Sequence, residues 1–228
     1  MNKVNYSKEL DKIMDALKKE GRTPTLLLQC CCAPCSSACL ERLRECFKVT
    51  VFYYNPNISE RAEYEKRKAE EKRLIEAYNR QVDEQDFAGM HSTAAANRIE
   101  ILDCDYDGQA YEEAVKGYES CPEGGDRCTR CFALRLGKTA ETAKENGFDY
   151  FSTTLTISPL KNVDKLNAIG QEMQERYGVA FLPSDFKKKD GYKRSIELSK
   201  EFDLYRQNYC GCKYSKGESF HKENVTEL

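Results

Sequence analysis

Three consecutive cysteines at the end of an apolar strand constrain this chain more than any other feature. The run Gln29-Cys30-Cys31-Cys32-Ala33-Pro34-Cys35-Ser36-Ser37-Ala38-Cys39 follows Leu26-Leu27-Leu28, which reads as a buried strand. Pro34 lacks the N–H that a sheet ladder needs and should end the strand. Ser36 and Ser37 then suit the N-cap of a helix over 35–46. Thiols at such a junction point to both sides of the chain into a loop, where soft metals are held. The plainer reading is three small buried hydrophobes.

Cysteine usage sets the chemistry to look for. Twelve cysteines occur in 228 residues, and residues 1–20 are charged and read as a helix rather than an export leader. A reducing, cytoplasmic setting follows as the expectation, in which cysteines serve as metal ligands or redox groups more often than as disulfides. No stretch of 18 apolar residues exists, so no membrane partner is expected. The net charge of −2 singles out no partner. The two histidines, His91 and His221, lie in polar segments that read as surface, which argues against a Cys-His zinc site.

Strands and helices alternate along the rest of the chain. Ser7 can cap a helix carrying Leu10, Ile13, Met14 and Leu17 on one face, with Gly21 as its stop. Strands are expected over 25–29, 49–54, 98–103, 150–155 and 179–182. Helices are expected over 35–46, 59–80, 109–118, 129–146 and 158–177, and from about 194 with Leu198, Phe202 and Tyr205 on one face. The charges of the 59–80 helix are mixed, which reads as a solvated face, and 85–97 reads as a polar loop. This alternation predicts an α/β fold: a Rossmann-like, doubly wound parallel sheet of about five strands with helices on both faces. Strand order 3-2-1-4-5 would place a ligand site beyond the carboxyl ends of strands 1 and 4. Residues 1–24 read as a helical extension, 25–216 as one catalytic domain and 217–228 as a polar tail.

Two further cysteine groups converge on that edge. Cys128-Thr129-Arg130-Cys131 opens a helix, where the dipole and free N–H groups favour thiolates. A single C-x-x-C fits a redox pair or half of an all-cysteine site, structural zinc or a [4Fe–4S] cluster. Cys210-Gly211-Cys212 can close a strained, reducible disulfide or chelate a metal. A last helix leaving strand 5 would carry this pair to the wrong edge, so either that helix doubles back or the tail crosses over.

Five motifs in register resemble one family. They are Cys31-Cys32-Ala33-Pro34, Tyr54-Asn55-Pro56-Asn57, Glu123-Gly124-Gly125-Asp126-Arg127-Cys128-x-x-Cys131, Ser152-Thr153-Thr154-Leu155 with Ser158-Pro159-x-Lys161, and Tyr209-Cys210-Gly211-Cys212. In this order, over about 25–215, the chain resembles the epoxyqueuosine reductases of the QueH type. The resemblance implies a HUP-type Rossmann-like fold carrying a [4Fe–4S] cluster. It implies reduction of epoxyqueuosine to queuosine at the wobble position of a tRNA anticodon stem-loop, with electrons from a donor the sequence does not identify. Where this chain has Cys35, some relatives have an Asp that is implied to bind a nearby single metal, so a second metal such as iron is left open here.

On that basis Cys31, Cys32, Cys128 and Cys131 are expected to hold the cluster, and Cys210 with Cys212 to form a redox pair. An alternative places one vicinal cysteine and one of the Cys-Gly-Cys pair on a separate metal with Cys35. Cys30, Cys39, Cys46, Cys104 and Cys121 match no motif and are expected to pack or lie at the surface. Asn55, Asn57, Arg127, Lys161 and Asn162 are substrate-binding candidates, and Asp107 and Glu123 proton-donor candidates. Residues 183–216 carry nine Lys and Arg against five Asp and Glu, with Lys187-Lys188-Lys189 and several aromatics, a composition suited to RNA. Two rivals remain: a cysteine-zinc RNA-binding module, and an ATP-using tRNA-modifying enzyme of the same fold. The second would need a glycine-rich phosphate loop where this chain has Cys-Cys-Ala-Pro-Cys.

Overall fold

The computed structural model describes residues 4–87 and 96–216. His91, His221, the 217–228 tail and the middle of the polar 85–97 loop lie outside the described residues. The chain runs α1 (Tyr6–Glu20), β1 (Thr25–Gln29), α2 (Ala33–Leu43), β2 (Lys48–Phe52), α3 (Arg61–Glu84), β3 (Glu100–Leu102) and α4 (Gly108–Val115). It continues through α5 (Asp126–Glu145), β4 (Tyr150–Thr153), a 3-10 turn (Thr154–Ile157), α6 (Val163–Tyr177), β5 (Ala180–Phe181) and α7 (Gly191–Glu201). The five strands are all parallel in the order β3-β2-β1-β4-β5, as the alternation predicts.

Side-chain alternation along the strands sorts two cores. Leu26, Leu28 and Cys30 face a layer that includes α1, α2, α3 and α7, with Leu10, Leu40, Tyr78 and Leu198. Leu27, Phe52 and Phe151 face the layer of α5 and α6, with Leu136 and Leu166. Central parallel strands covered on both faces must be apolar throughout, which is why β1 reads as an unbroken run. The apolar stripe of α1, Leu10-Met14-Leu17, joins the first core directly. Cys30, Cys39 and Cys46 are buried packing residues of that core.

Several boundaries differ from expectation, each for a local reason. Helix α2 begins at Ala33 with Cys32 as its N-cap, because Pro34 occupies the first turn, where a missing N–H costs nothing. Ser36 and Ser37 therefore sit inside the helix, their hydroxyls donating back to Cys32, Ala33 and Pro34 carbonyls. Asn5, not Ser7, caps α1. Helix α5 starts at Asp126 rather than at 129, so Cys128 as well as Cys131 lies within it. Helix α6 starts only at Val163, capped by Asn162, after the 3-10 turn takes up residues 154–157. Helix α3 is not a solvated rod: Arg67 and Glu71 are buried in line with Leu74, Ile75 and Tyr78.

The tail crosses over. After α7 the chain runs along the first turns of α3, where Tyr205 N–H donates to Glu70 and the Tyr205 hydroxyl meets Glu63. Arg67 Nη1 then donates to the Cys210 carbonyl at 3.2 Å, and Ser59 N–H to that of Gly211 at 3.1 Å. The Cys-Gly-Cys segment is thereby fixed at the carboxyl edge of the sheet.

Candidate functional site

A polar frame stitches the strand ends together beneath the thiols. Gln29 Nε2 donates to the Cys30 and Tyr54 carbonyls, and Gln29 Oε1 accepts from Thr153 Oγ1 at 2.9 Å. Asn55 Nδ2 donates to the Cys30 carbonyl at 2.8 Å, while its Oδ1 accepts from Arg135 Nη2 at 2.6 Å. The carboxyl ends of β1, β2 and β4 are thus tied, through Asn55, to α5. Asn55 is 1% exposed and fully engaged, so its place is in this frame and not on a cavity wall.

Above the frame sit two thiol groups. The Sγ atoms of Cys31, Cys32 and Cys35 all lie within 4.8 Å of one another, with Cys31 and Cys32 at 3.7 Å. A tetrahedral ion with Zn–S-type bonds of about 2.3 Å holds its sulfurs roughly 4 Å apart, so this triad can take one metal ion. Hydrogen bonds from Cys32 and Cys35, with Arg135 and Lys161 nearby, hold the Cys31 thiol well below the usual thiol range. Those same bonds push Cys32 and Cys35 up. Gln207 Nε2 contacts Cys32 Sγ at 2.7 Å.

The second group lines a narrow cavity: Cys128, Cys131, Cys210 and Cys212, with Asn57, Glu123, Arg127 and Lys161. Its thiols do not form a set mutually within 4.8 Å. Burial pushes Cys128 up, and pushes Cys131 up to about 12. A larger cavity of about 350 Å³ adjoins it, lined by Cys31, Cys35, Arg67, Gln207 and Tyr209. Glu123, Leu160, Lys161 and Cys210 line both.

Cations complete the electrostatics. Arg135 is 1% exposed, and its Nε and Nη1 have no hydrogen-bond partner among the described residues. Burial opposes its charge, but the thiols of Cys131, Cys31 and Cys210 outweigh that and raise its pKa. Lys161, half-buried rather than buried, shows the same balance against Cys210, Cys31 and Cys35. A buried cation without a carboxylate partner needs anionic neighbours, and thiolates are what this site offers.

Of the expected binding residues, Asn57, Arg127 and Lys161 reach the cavities, as does Glu123. Asn162 is an exposed helix cap and Asp107 caps α4 through Ala110 N–H; neither lines a cavity. Sequence reasoning missed Arg135, one helical turn beyond Cys131, and Gln207, adjoining the Tyr-Cys-Gly-Cys motif. It also missed Arg67, hidden among the exposed charges of α3.

Comparison with known proteins meets this geometry. The model of the epoxyqueuosine reductase QueH family matches residues 26–218. The chain belongs to that family. The QueH epoxyqueuosine reductase of Streptococcus pyogenes is 41% identical over 213 residues, covering 93% of this chain and 78% of the relative. That of Staphylococcus epidermidis is 37% identical, covering 93% and 85%. That of Thermotoga maritima is 36% identical, covering 84% and 90%. Like the relatives so named, this QueH family member is an oxidoreductase, and among its described residues no helix is long and apolar enough to cross a membrane.

Proposed function

We propose that this protein reduces epoxyqueuosine in tRNA to queuosine, with a [4Fe–4S] cluster on Cys128, Cys131, Cys210 and Cys212 and one metal ion on Cys31, Cys32 and Cys35. The observation that carries this division is the difference in span between two thiol groups that share the walls of adjoining cavities. The close triad suits a single ion. The wider set suits a cluster, whose ligands stand at separate corners of a multi-iron body. Four thiols beside Arg127, Arg135 and Lys161 also fit a group of net negative charge. Cys128 and Cys131 feel Cys210 and Cys212 as electrostatic neighbours, which favours this grouping over one pairing them with Cys31 and Cys32.

Converting an epoxide to an alkene breaks two C–O bonds, forms C=C and releases the oxygen as water, consuming two electrons and two protons. A cluster held by these four cysteines would supply electrons one at a time, replenished by an external donor. The residues do the rest. Lys161, on the shared wall, faces the oxygen's developing negative charge. Glu123, on the same wall, is placed to carry a proton. Asn55 and Gln29 position the Cys30–Cys31 backbone. Asn57, whose Nδ2 approaches the Cys210 carbonyl at 3.5 Å, steadies the tail.

In a second reading Cys210 and Cys212 act as a redox pair, which their common cavity also allows. Anaerobic purification with iron and acid-labile sulfide quantitation, beside turnover of epoxyqueuosine-containing tRNA, tests the proposal. Zinc without sulfide would instead support a cysteine-zinc binding module.

A further inference from the structure

The mouth of the larger cavity carries apolar surface that the fold does not use. Among the described residues the exposed large hydrophobics are Val4, Leu160 at 69% and Tyr192 at 38%. Leu160 and Tyr192 both line the cavity that contains Cys31 and Cys35. They come from separate elements, Leu160 from the segment before α6 and Tyr192 from the first turn of α7. On α7, Tyr192 and Ser195 form one wall three residues apart, and Arg206 Nη1 is held by Ser199 Oγ at 2.9 Å on the same stripe. The Tyr192 ring and hydroxyl have no partner among the described residues, whereas the other tyrosine on this wall, Tyr209, lies under the Arg67 guanidinium. The cations lining this cavity are Arg67, Lys161 and Arg206, against one acidic residue, Glu123, and Arg206 has no ion pair among the described residues.

We propose that Tyr192 and Leu160 clamp the flipped wobble base of the anticodon loop at this mouth. The proposal rests on the RNA-substrate reading above. A base reaching the thiols must leave its stack, and it then presents two bare faces that seek an aromatic or apolar surface. The group to be reduced is carried on the edge of the base, so both faces stay free for the clamp while that edge points toward Cys31 and Cys35. Three cations against one carboxylate around this mouth, Arg206, Lys161 and Arg67 against Glu123, match the phosphates that flank a flipped nucleotide. This charge match is what favours RNA over a protein partner.

The test uses an anticodon stem-loop RNA with 2-aminopurine at the wobble position. Wild-type protein should quench its fluorescence on binding. Tyr192→Ala should relieve the quenching and raise Kd about 5- to 150-fold, the range for loss of one base–aromatic stack. The slope of log K against log salt should stay at the wild-type value, because no phosphate contact is lost. Tyr192→Phe should behave as wild type, and Arg206→Gln should instead lower the slope by about 0.7. Quenching and affinity unchanged in Tyr192→Ala, with wild type binding, would overturn the clamp alone. Failure of the wild type to bind the hairpin would overturn the RNA reading and the clamp together. Unchanged RNA affinity with turnover lost only when reduced flavodoxin replaces dithionite would overturn it too, and would give the mouth to a protein donor.

Discussion

The two thiol groups sit on one edge of the same sheet yet are built by opposite means. Cys31, Cys32 and Cys35 come from a single strand-to-helix junction, set by the β1 ladder and the first turn of α2. Cys128 and Cys131 come from α5, whereas Cys210 and Cys212 arrive on a tail pinned to α3. Local chain geometry makes the first group close. Tertiary packing makes the second, and leaves it wide. One type of side chain therefore makes a close group or an open one, depending on what brings the sulfurs together.

The sharpest way to break this comparison is by metal content. Cys131→Ser is expected to remove essentially all acid-labile sulfide and its iron, leaving at most the single ion of the triad. Cys31→Ser is expected to keep the sulfide and lose that ion. Cys212→Ser should follow Cys131→Ser. If Cys212→Ser keeps full sulfide but fails in turnover, the redox-pair reading of Cys210 and Cys212 replaces the one proposed.

A second test concerns only the triad side. Glu71 is fully buried beneath it, and neither carboxylate oxygen has a hydrogen-bond partner of normal geometry among the described residues. Burial, reinforced by Cys31 and only partly relieved by Ser36 and Cys30, pushes its pKa up to about 8. The folded state thus holds a proton that the unfolded state releases near pH 4.3. Stability from this group is complete below that pH and is lost as pH rises to about 8, at about 1.4 kcal/mol per pH unit. Glu71→Gln should match wild type near pH 4.5 and exceed it by several kcal/mol at pH 8, read by urea unfolding. A constant difference across pH would show that the carboxyl is solvated or paired.

A third test concerns only the tail. Gly211 has φ +114, and a Cβ there would stand 2.9 Å from Ile58 Cγ1 and 3.2 Å from Arg67 Nη1. Gly211→Ala should weaken tail docking by about 1–3 kcal/mol. Amide exchange should rise at residues 205–212 while β1 and α2 are unchanged. Equal protection in both proteins would mean that the tail is held elsewhere.

The smallest effect is expected outside both groups. Lys187 pairs with Asp185 at 3.0 Å and Lys189 with Asp11 at 2.6 Å, which leaves Lys188 without an ion pair among the described residues. Changing all three to Gln should lower the salt slope of tRNA binding by about one phosphate contact, 0.7 to 0.9, and not by three. A loss of three contacts would show that the ion pairs open on binding.

The contrast also explains what the sequence reveals. Strand order and the polar edge are legible because β1 and its neighbours are apolar runs separated by helical periods. The triad is legible because it is contiguous. The meeting of Cys128 with Cys212 has no local signature, since it depends on Tyr205, Arg67 and Ser59 holding the tail. The buried stripe of α3 runs Tyr64, Arg67, Glu71, Leu74, Ile75, Tyr78 at helical spacing. Two charged members make it look solvated, although the spacing itself marks them as inward. Pro34 misleads in another way, because the residue that ends a strand is equally suited to begin a helix.

The crossing tail has a consequence in time. Chains emerge from the ribosome at roughly 5–20 residues per second and their N-terminal parts fold first. The triad can form once β1, α2 and the flanking strands β2 and β4 have been made. The wider set stays half complete, showing only Cys128 and Cys131, until synthesis has passed Cys212 and the tail has docked on α3. A chain interrupted between α7 and Cys210 keeps all five strands and the triad but offers only two of the four sulfurs of the proposed cluster site. Docking of this last segment would then act as a completeness check on the proposed cluster site: it separates a folded protein from one in which all four of these sulfurs are together.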